Sequence, residues 1–202
     1  MKAIFFFDLD TQRDLMLSEG KLHVPGAERI IPKLRRIFDF AKTNAVTIVS
    51  SAMANDPDDP EGGTSLPYCV RGSEGQRKID DTLMLHPLIL ENKLADRSFA
   101  DIVRKHQQII LEKQGFDVFG NPMTERLLRV LPQRAILFGV PLDQSVKLAA
   151  LGLRRLGFKT AVIQNATLPL EPREAHKAEA AMRNAGVEFI TLEVLLGALG
   201  AG

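Results

Sequence analysis

Three side chains with complementary chemistry each stand just past an apolar run. Asp10 follows Ala3-Ile4-Phe5-Phe6-Phe7, and Lys113 follows Gln108-Ile109-Ile110-Leu111. Ser145 follows Ala135-Ile136-Leu137-Phe138 by way of the turn-like Gly139-Val140-Pro141-Leu142-Asp143-Gln144. A carboxylate can exchange a proton with a substrate or a nucleophile, and an ammonium beside it can hold its charge and position. A hydroxyl can line a pocket or attack a carbonyl. Each residue also admits a plainer role. Asp10 can cap a turn while Gln12 or Asp14 satisfies loop amides. Lys113 can be a solvated loop lysine, with Lys93 in Leu90-Glu91-Asn92-Lys93 as a competitor for its place. Ser145 can be a helix N-cap that accepts amide hydrogen bonds. A nucleophilic serine ordinarily needs a base such as histidine, and the four histidines, His23, His86, His106 and His176, are scattered far from all three motifs.

The catalytic reading requires a fold that gathers three strand ends. Strand-like runs fall at Lys2–Phe7, Val46–Ser50, Gln108–Leu111, Ala135–Phe138, Thr160–Ile163 and Val187–Ile190. Helical periodicity lies between most of them. Pro32–Ala41 carries Leu34, Ile37 and Phe38 on one face with Arg35 and Arg36 outside. Asn121-Pro122 offers an N-cap and a first-turn proline ahead of Met123–Val130. After Ser145, the residues Val146, Ala149, Leu153 and Leu156 face a core, with Lys147, Arg154 and Arg155 outside and Gly157 as the stop. Alternating strands and helices predict an α/β domain with three α/β/α layers around a mainly parallel, Rossmann-like sheet of about six strands. A parallel sheet places its strand ends and the following helix N-termini on one edge, where reactive groups are favoured.

The 202 residues suffice for a single domain, read here as 1–202. The stretch 51–106 breaks the βα rhythm and reads as a long lid or pocket-forming insertion, opening with the acidic, turn-rich Asn55-Asp56-Pro57-Asp58-Asp59-Pro60-Glu61-Gly62-Gly63. A net charge of +1 with dispersed Lys and Arg points away from nucleic acid and membrane surfaces. A lone cysteine, Cys69, fits a reducing, cytoplasmic setting and reads as a buried, inert thiol. No apolar run reaches the roughly 18–20 residues of a membrane span.

Five segments in order then resemble one family. They are Asp10-Thr11-Gln12-Arg13-Asp14, Val24-Pro25-Gly26-Ala27, Pro67-Tyr68-Cys69-Val70-Arg71-Gly72-Ser73-Glu74-Gly75, Lys113 through Phe119, and Gly139 through Val146. Together they resemble the isochorismatase-like superfamily of cysteine hydrolases, which includes nicotinamidases and carbamoylsarcosine amidohydrolases. The resemblance implies Asp10 as acid/base, Lys113 as its electrostatic partner and Ser145 at the nucleophile position. It further implies substrate contacts from Gln12, Leu15, Tyr68, Val140 and Pro141, a cis peptide between Val140 and Pro141, and self-association into a homo-oligomer.

Several positions depart from that pattern. The amidase branch attacks with a cysteine where this chain has Ser145, and a hydroxyl is far less acidic than a thiol. The resemblance places an oxyanion-binding amide at Pro141, which has no N–H; one lost donor costs roughly 10²–10³ in rate. Metal-using members place ligands in an Asp-x-His pair and in a histidine before the family's cysteine. Here those neighbourhoods hold Ala52-Met53-Ala54 and Tyr68, so no metal and no cofactor is expected. Asp56, Asp58, Asp59 and Glu61 could attract a hard cation, with a solvated acidic turn as the plainer reading. Leu15 stands where an aromatic often meets a flat ring, which disfavours nicotinamide. Isochorismatases, which the resemblance implies lack the cysteine and keep the aspartate, cleave a vinyl ether by protonation. The expectation is a metal-independent hydrolase of a small polar metabolite, working by vinyl-ether cleavage or weak serine-type chemistry. A degenerate member that only binds a small molecule or a protein is the alternative.

Overall fold

The computed structural model describes residues 4–57 and 67–200. Strands β1 (Phe5–Leu9), β2 (Ile48–Met53), β3 (Leu88–Leu90), β4 (Gln108–Lys113), β5 (Arg134–Gly139), β6 (Lys159–Thr167) and β7 (Glu188–Ile190) form one sheet in the order β3-β4-β2-β1-β5-β6-β7. Every pairing is parallel. Helices are α1 (Arg13–Met16), α2 (Ile31–Thr43), α3 (Phe99–Lys105), α4 (Thr124–Leu128), α5 (Lys147–Arg155), α6 (Ala175–Asn184) and α7 (Leu192–Gly200). The three layers follow from strand alternation. Phe5, Phe7 and Leu9 pack with residues of α3 through α6, among them Phe99, Leu127, Leu153 and Met182. Phe6 packs on the other face with Leu34, Ile37 and Phe38 of α2 and Leu192 and Leu195 of α7.

The sheet has seven strands where the sequence pattern predicts about six. The added strand, β3, lies inside the 51–106 stretch. Its three residues are too short to display a period, and Ile89, 52 % exposed, breaks the apolar run on this edge strand. β1 also runs two residues past its expected end at Phe7. The apolar pattern makes Asp8 the first turn residue; its carboxylate instead stays in the sheet because Lys78 neutralises it, Nζ to Oδ2 2.8 Å.

Helix α2 buries Leu34, Ile37 and Phe38 as the periodicity predicts. The helix expected over Met123–Val130 is shorter, Thr124–Leu128, and begins beyond Asn121. Asn121 still accepts from the Met123 amide (2.8 Å), but its carboxamide also donates to the backbone oxygens of Leu90, Glu91 and Glu112, tying the ends of β3 and β4 together. Val146, just ahead of α5, and Ala149 and Leu153 within it are buried as expected, whereas Leu156, just past its end, is 41 % exposed. The helix ends at Arg155, and Gly157 at φ +84° turns the chain so that the Phe158 amide bonds Leu153 and its ring takes the core position.

Candidate active site

The parallel sheet brings the ends of β1, β2, β4 and β5 to one edge, and Asp10, Lys113 and Ser145 meet there. Alternation along β1 would send Asp10 to the same side as Asp8, whose partner on β2 is Ser50. Asp10 instead adopts a left-handed backbone, φ +46°, a conformation aspartate tolerates better than bulkier residues. Its carboxylate thereby meets Ser51, the neighbouring β2 residue of opposite orientation. Ser51 Oγ donates to Asp10 Oδ1 at 2.5 Å, and the Asp10 amide reaches Ser51 Oγ at 3.3 Å. Lys113, the last residue of β4, donates from Nζ to Asp10 Oδ2 (2.8 Å) and to the Gly115 carbonyl (2.7 Å). Ser145 Oγ donates to the same Asp10 Oδ2.

Asp10 and Lys113 are wholly buried and Ser145 nearly so. Burial pulls the Lys113 ammonium below the ordinary lysine range, and the Asp10 charge and hydrogen bond oppose the shift. Lys93, the competitor, is exposed and pairs with Glu91 at 2.7 Å. The plain reading of Lys113 as a solvated lysine is therefore overturned.

The turn after β5 is shaped by contact with β1. Gly139 sits at φ +107°, and a Cβ there would lie 2.2 Å from the Leu9 carbonyl oxygen, so only glycine fits. The next amide, Val140, donates to that oxygen (2.9 Å), and the Val140–Pro141 peptide is cis as the resemblance implied. Ser145 does not cap a helix. It lies inside a π-helical turn, Leu142–Val146, that runs directly into α5, and its hydroxyl points at Asp10 rather than at backbone amides. Asp143, buried in the same turn, accepts from the amides of Leu170 (2.8 Å) and Glu171 (3.0 Å), fixing the turn to the chain after β6.

The other residues singled out in the sequence surround this centre. Gln12 is fully buried with its amide engaged: Nε2 donates to the carbonyls of Met53 and Gln76, and Oε1 accepts from the Met53 amide, all at 2.7 Å. Asp14 accepts from the amides of Cys69 (2.6 Å) and Lys21 (3.1 Å). Gln12 and Asp14 thus bond loop and strand amides, whereas the Asp10 carboxylate, read plainly as a turn cap, is held by the side chains of Ser51, Lys113 and Ser145. Leu15 is buried in the α2-side core, and Val140 and Pro141 are buried beside β1. Tyr68 is buried and stacks on Phe116, centroids 6.3 Å apart and planes 24° apart. Cys69 is buried, and burial together with the nearby charges of Asp10 and Asp14 pushes its thiol pKa far up. Ser51 is the one member of the cluster that the sequence does not single out; its only signal is a pair of hydroxyls, Ser50-Ser51, inside an apolar strand.

A model of the Isochorismatase domain matches residues 3–194. The chain belongs to the isochorismatase family. Solved structures agree on the fold. An isochorismatase-like hydrolase from Alkaliphilus metalliredigens has a TM-score of 0.77 at 16 % identity, over 98 % of this chain and 99 % of that one. An isochorismatase family protein from Desulfovibrio vulgaris has a TM-score of 0.76 at 18 % identity, over 99 % and 100 %. The pyrazinamidase of Pyrococcus horikoshii in complex with zinc has a TM-score of 0.74 at 20 % identity, over 94 % and 99 %. No curated protein matches the sequence.

The zinc of that last relative raises the question of a metal here. Among the described residues no group of three or more His, Cys, Asp or Glu side chains is placed to hold an ion. Ala52, Met53 and Ala54 are buried at the end of β2, and Tyr68 is occupied with Phe116. Of the acidic turn, Asp56 faces Gln114 (2.7 Å) and Arg71 (3.8 Å), while Asp58, Asp59 and Glu61 lie outside the described residues. Among the described residues no helix is long and apolar enough to cross a membrane.

Proposed function

We propose that this isochorismatase family member hydrolyses a small polar metabolite, with Asp10 as the group that moves the proton and Lys113 as its counter-charge. The observation that carries the reading is the convergence of Lys113, Ser51 and Ser145 on one carboxylate, out of water at the carboxyl edge of the sheet. A buried ion pair is a weak device for stability alone, since apolar residues of like volume serve as well or better. Held in a fixed, low-dielectric setting, it suits a reaction in which charge develops. Tyr68, Val140 and Pro141 are the wall residues of this reading. Gln12 and Leu15 support it from behind, one through the backbone of β2 and the other through the core. The segment 67–82, within the insertion, packs against the β1 end and would close that side of the pocket.

Vinyl-ether hydrolysis asks least of these residues. The proton that Lys113 donates toward Asp10 passes to the carboxylate, and the resulting acid gives it to the terminal carbon of an enol pyruvyl ether. Water adds to the resulting cation, and the hemiketal collapses to pyruvate and a free alcohol, the proton returning to Asp10. Ser145 then only lines the pocket. The Ser145–Asp10 hydrogen bond favours a second route, in which the hydroxyl attacks an amide or ester carbonyl and Asp10 receives its proton, then passes it to the amine or alcohol that leaves, before water cleaves the acyl-serine ester. Pro141, without an N–H, removes an oxyanion donor from that route.

Turnover by the parent and by Asp10→Asn, following pyruvate from isochorismate and ammonia from a panel of small amides, decides between them. Proton-transfer catalysis contributes about 10²–10⁴-fold, and a loss of pyruvate release on that scale in Asp10→Asn is expected. Ammonia release lost in the variant instead would select the serine route. Turnover that survives Asp10→Asn would overturn the assignment of Asp10, and absence of turnover on every compound would move the reading to a binding protein on an enzyme fold.

A further inference from the structure

A second buried lysine–carboxylate pair lies two residues from the first and has no part in the chemistry above. Lys78 Nζ donates to Asp8 Oδ2 and to Thr11 Oγ1, both at 2.8 Å. Thr11 Oγ1 in turn donates to Asp8 Oδ1 (2.9 Å), and Ser50 Oγ donates to Asp8 Oδ2 (2.9 Å). Gln108 Nε2 backs Ser50 at 2.9 Å. Asp8, Thr11 and Ser50 are fully buried, and Lys78 is 5 % exposed. The lysine arrives on a short strap that runs antiparallel to the chain after β1. Arg13 donates its amide to the Arg77 carbonyl (2.8 Å), Ile79 donates to the Thr11 carbonyl (3.0 Å), and Gln12 faces Lys78 across the bridge.

Asp10 sits between the two residues that Lys78 joins. On its N-terminal side Asp8 is locked into the sheet; on its C-terminal side Thr11 is locked to the strap. The left-handed backbone of Asp10 is what throws its carboxylate to the side opposite Asp8, onto Ser51, Lys113 and Ser145. A non-glycine residue holds such a conformation only where its surroundings over-determine it. The cross-link through Lys78 does so from both flanks. Its charged composition also sets register: an apolar residue at position 8 would fit the α2-side core with β1 shifted or the turn relaxed, whereas a buried carboxylate accepts only the arrangement that meets Lys78.

We propose that Lys78, Asp8 and Thr11 are positioning residues for Asp10, a second charge cluster whose task is to hold the reactive carboxylate on the opposite side of the strand from itself. The inference rests on the reading of Asp10 as the reacting group, but its test needs no substrate, so a failed turnover assay and a failed positioning assay are separate results. Ser145→Cys supplies a thiol reporter facing Asp10 and Lys113, while the native Cys69 stays buried. The apparent pKa of that thiol is read from the ultraviolet absorbance of the thiolate as a function of pH, which needs no reagent to enter the buried site, after subtracting the titration of the parent with Cys69 alone. Adding Asp10→Asn removes the adjacent negative charge and lowers the thiol pKa by about 1–3 units. Adding instead Asp8→Asn with Lys78→Met, which removes both charges and leaves neither unpaired, is expected to lower it by about 0.5–1 unit, a threefold to tenfold gain in thiolate below the pKa. The melting temperature is expected to stay near that of the parent. A thiol pKa unchanged to within about 0.2 units in a folded double variant would overturn the proposal and leave the cluster a purely structural ion pair. Should the double variant not fold, Thr11→Val takes its place, removing the hydroxyl that joins Lys78 and Asp8 on the C-terminal side of Asp10 while both charges remain paired. A lowered thiol pKa in that variant supports the proposal, and an unchanged one overturns it.

Discussion

Removing Lys113 tests the centre of the site, because the structure fixes what is left behind. Lys113→Met keeps the length and most of the apolar volume of the side chain but deletes the ammonium that lies 2.8 Å from Asp10 and 2.7 Å from the Gly115 carbonyl. Asp10 then keeps the hydroxyls of Ser51 and Ser145 but has no cation, and it is fully buried. Breaking a buried pair from one side costs about 3–5 kcal/mol, since the remaining charge is uncompensated. For a chain of this size that corresponds to a melting temperature lower by about 6–20 °C. The reverse change, Asp10→Asn, is expected to cost less, about 1–3 kcal/mol, because burial already lowers the Lys113 pKa and the amine can release its proton and stay neutral. The double variant Asp10→Asn with Lys113→Met leaves no charge at all and is expected to recover most of the loss. Urea unfolding of the four proteins at neutral pH gives the coupling energy, expected at about 3–7 kcal/mol if the double variant costs about 1 kcal/mol. A coupling below about 0.5 kcal/mol would refute the claim that these two groups form one buried electrostatic unit.

The same lysine makes a pH prediction. Its folded pKa lies below the unfolded value of 10.5, so between the two the unfolded chain holds a proton that the folded chain has released. Stability from this group therefore rises with pH toward 10.5 and is lost as the pH falls through the folded value. The difference in unfolding midpoint between the parent and Lys113→Met should widen over that alkaline window, and a difference independent of pH there would contradict the shift. Cys69, whose thiol burial strongly disfavours as thiolate, should react with iodoacetamide no faster than the chain unfolds; rapid labelling of the native protein would show the site open. Gly139→Ala places a Cβ 2.2 Å from the Leu9 carbonyl oxygen at φ +107°, and is expected to cost about 1–3 kcal/mol and to shift the turn carrying Ser145. A variant as stable as the parent by urea unfolding would mean that the β1–β5 approach is looser than it stands. Gly75→Ala, whose Cβ would fall 2.1 Å from an Asp14 carboxylate oxygen, should loosen the Asp14–Cys69 link; an unchanged midpoint would place that link outside the cooperative core.

How much of this is legible in the sequence depends on whether a feature is local. Buried parallel strands are near-continuous apolar runs, so β1, β2, β4 and β5 are readable, and with them the edge at which Asp10, Lys113 and Ser145 gather. Their convergence follows from the topology, and the family pattern singles out Lys113 over Lys93. What escapes is long-range or too short. β3 has three residues, one of them exposed, and is a strand only because β4 offers it an edge. Asp8 looks like the end of β1 because the lysine that lets it remain there comes from 70 residues further on, on a strap with no regular periodicity. Leu156 keeps the helical period but not the helix, since Gly157 ends it first. The reading of Ser145 as an N-cap assumes that a helix starts at the serine. The π-helical turn starts earlier, at Leu142, and this extra turn frees the hydroxyl to face Asp10.

The two buried carboxylates on one strand end explain why the site is built on β1 rather than on a loop. Asp8 and Asp10 each have a lysine and a β2 serine, Lys78 with Ser50 and Lys113 with Ser51, and the consecutive serines point to opposite sides of the sheet. Had Asp10 followed regular alternation, both carboxylates would crowd one side, and Lys113, whose neighbours Ile109 and Leu111 face the other core, could not reach it. The left-handed turn at Asp10 separates the like charges and pairs each with its own cation. Position 10 must therefore combine a short carboxylate with tolerance for positive φ. Aspartate meets both demands, whereas glutamate is longer and poorer in the left-handed region. Asp10→Glu should accordingly lose activity on the scale of Asp10→Asn despite keeping its charge, because the geometry, not the charge alone, is what the strand end supplies.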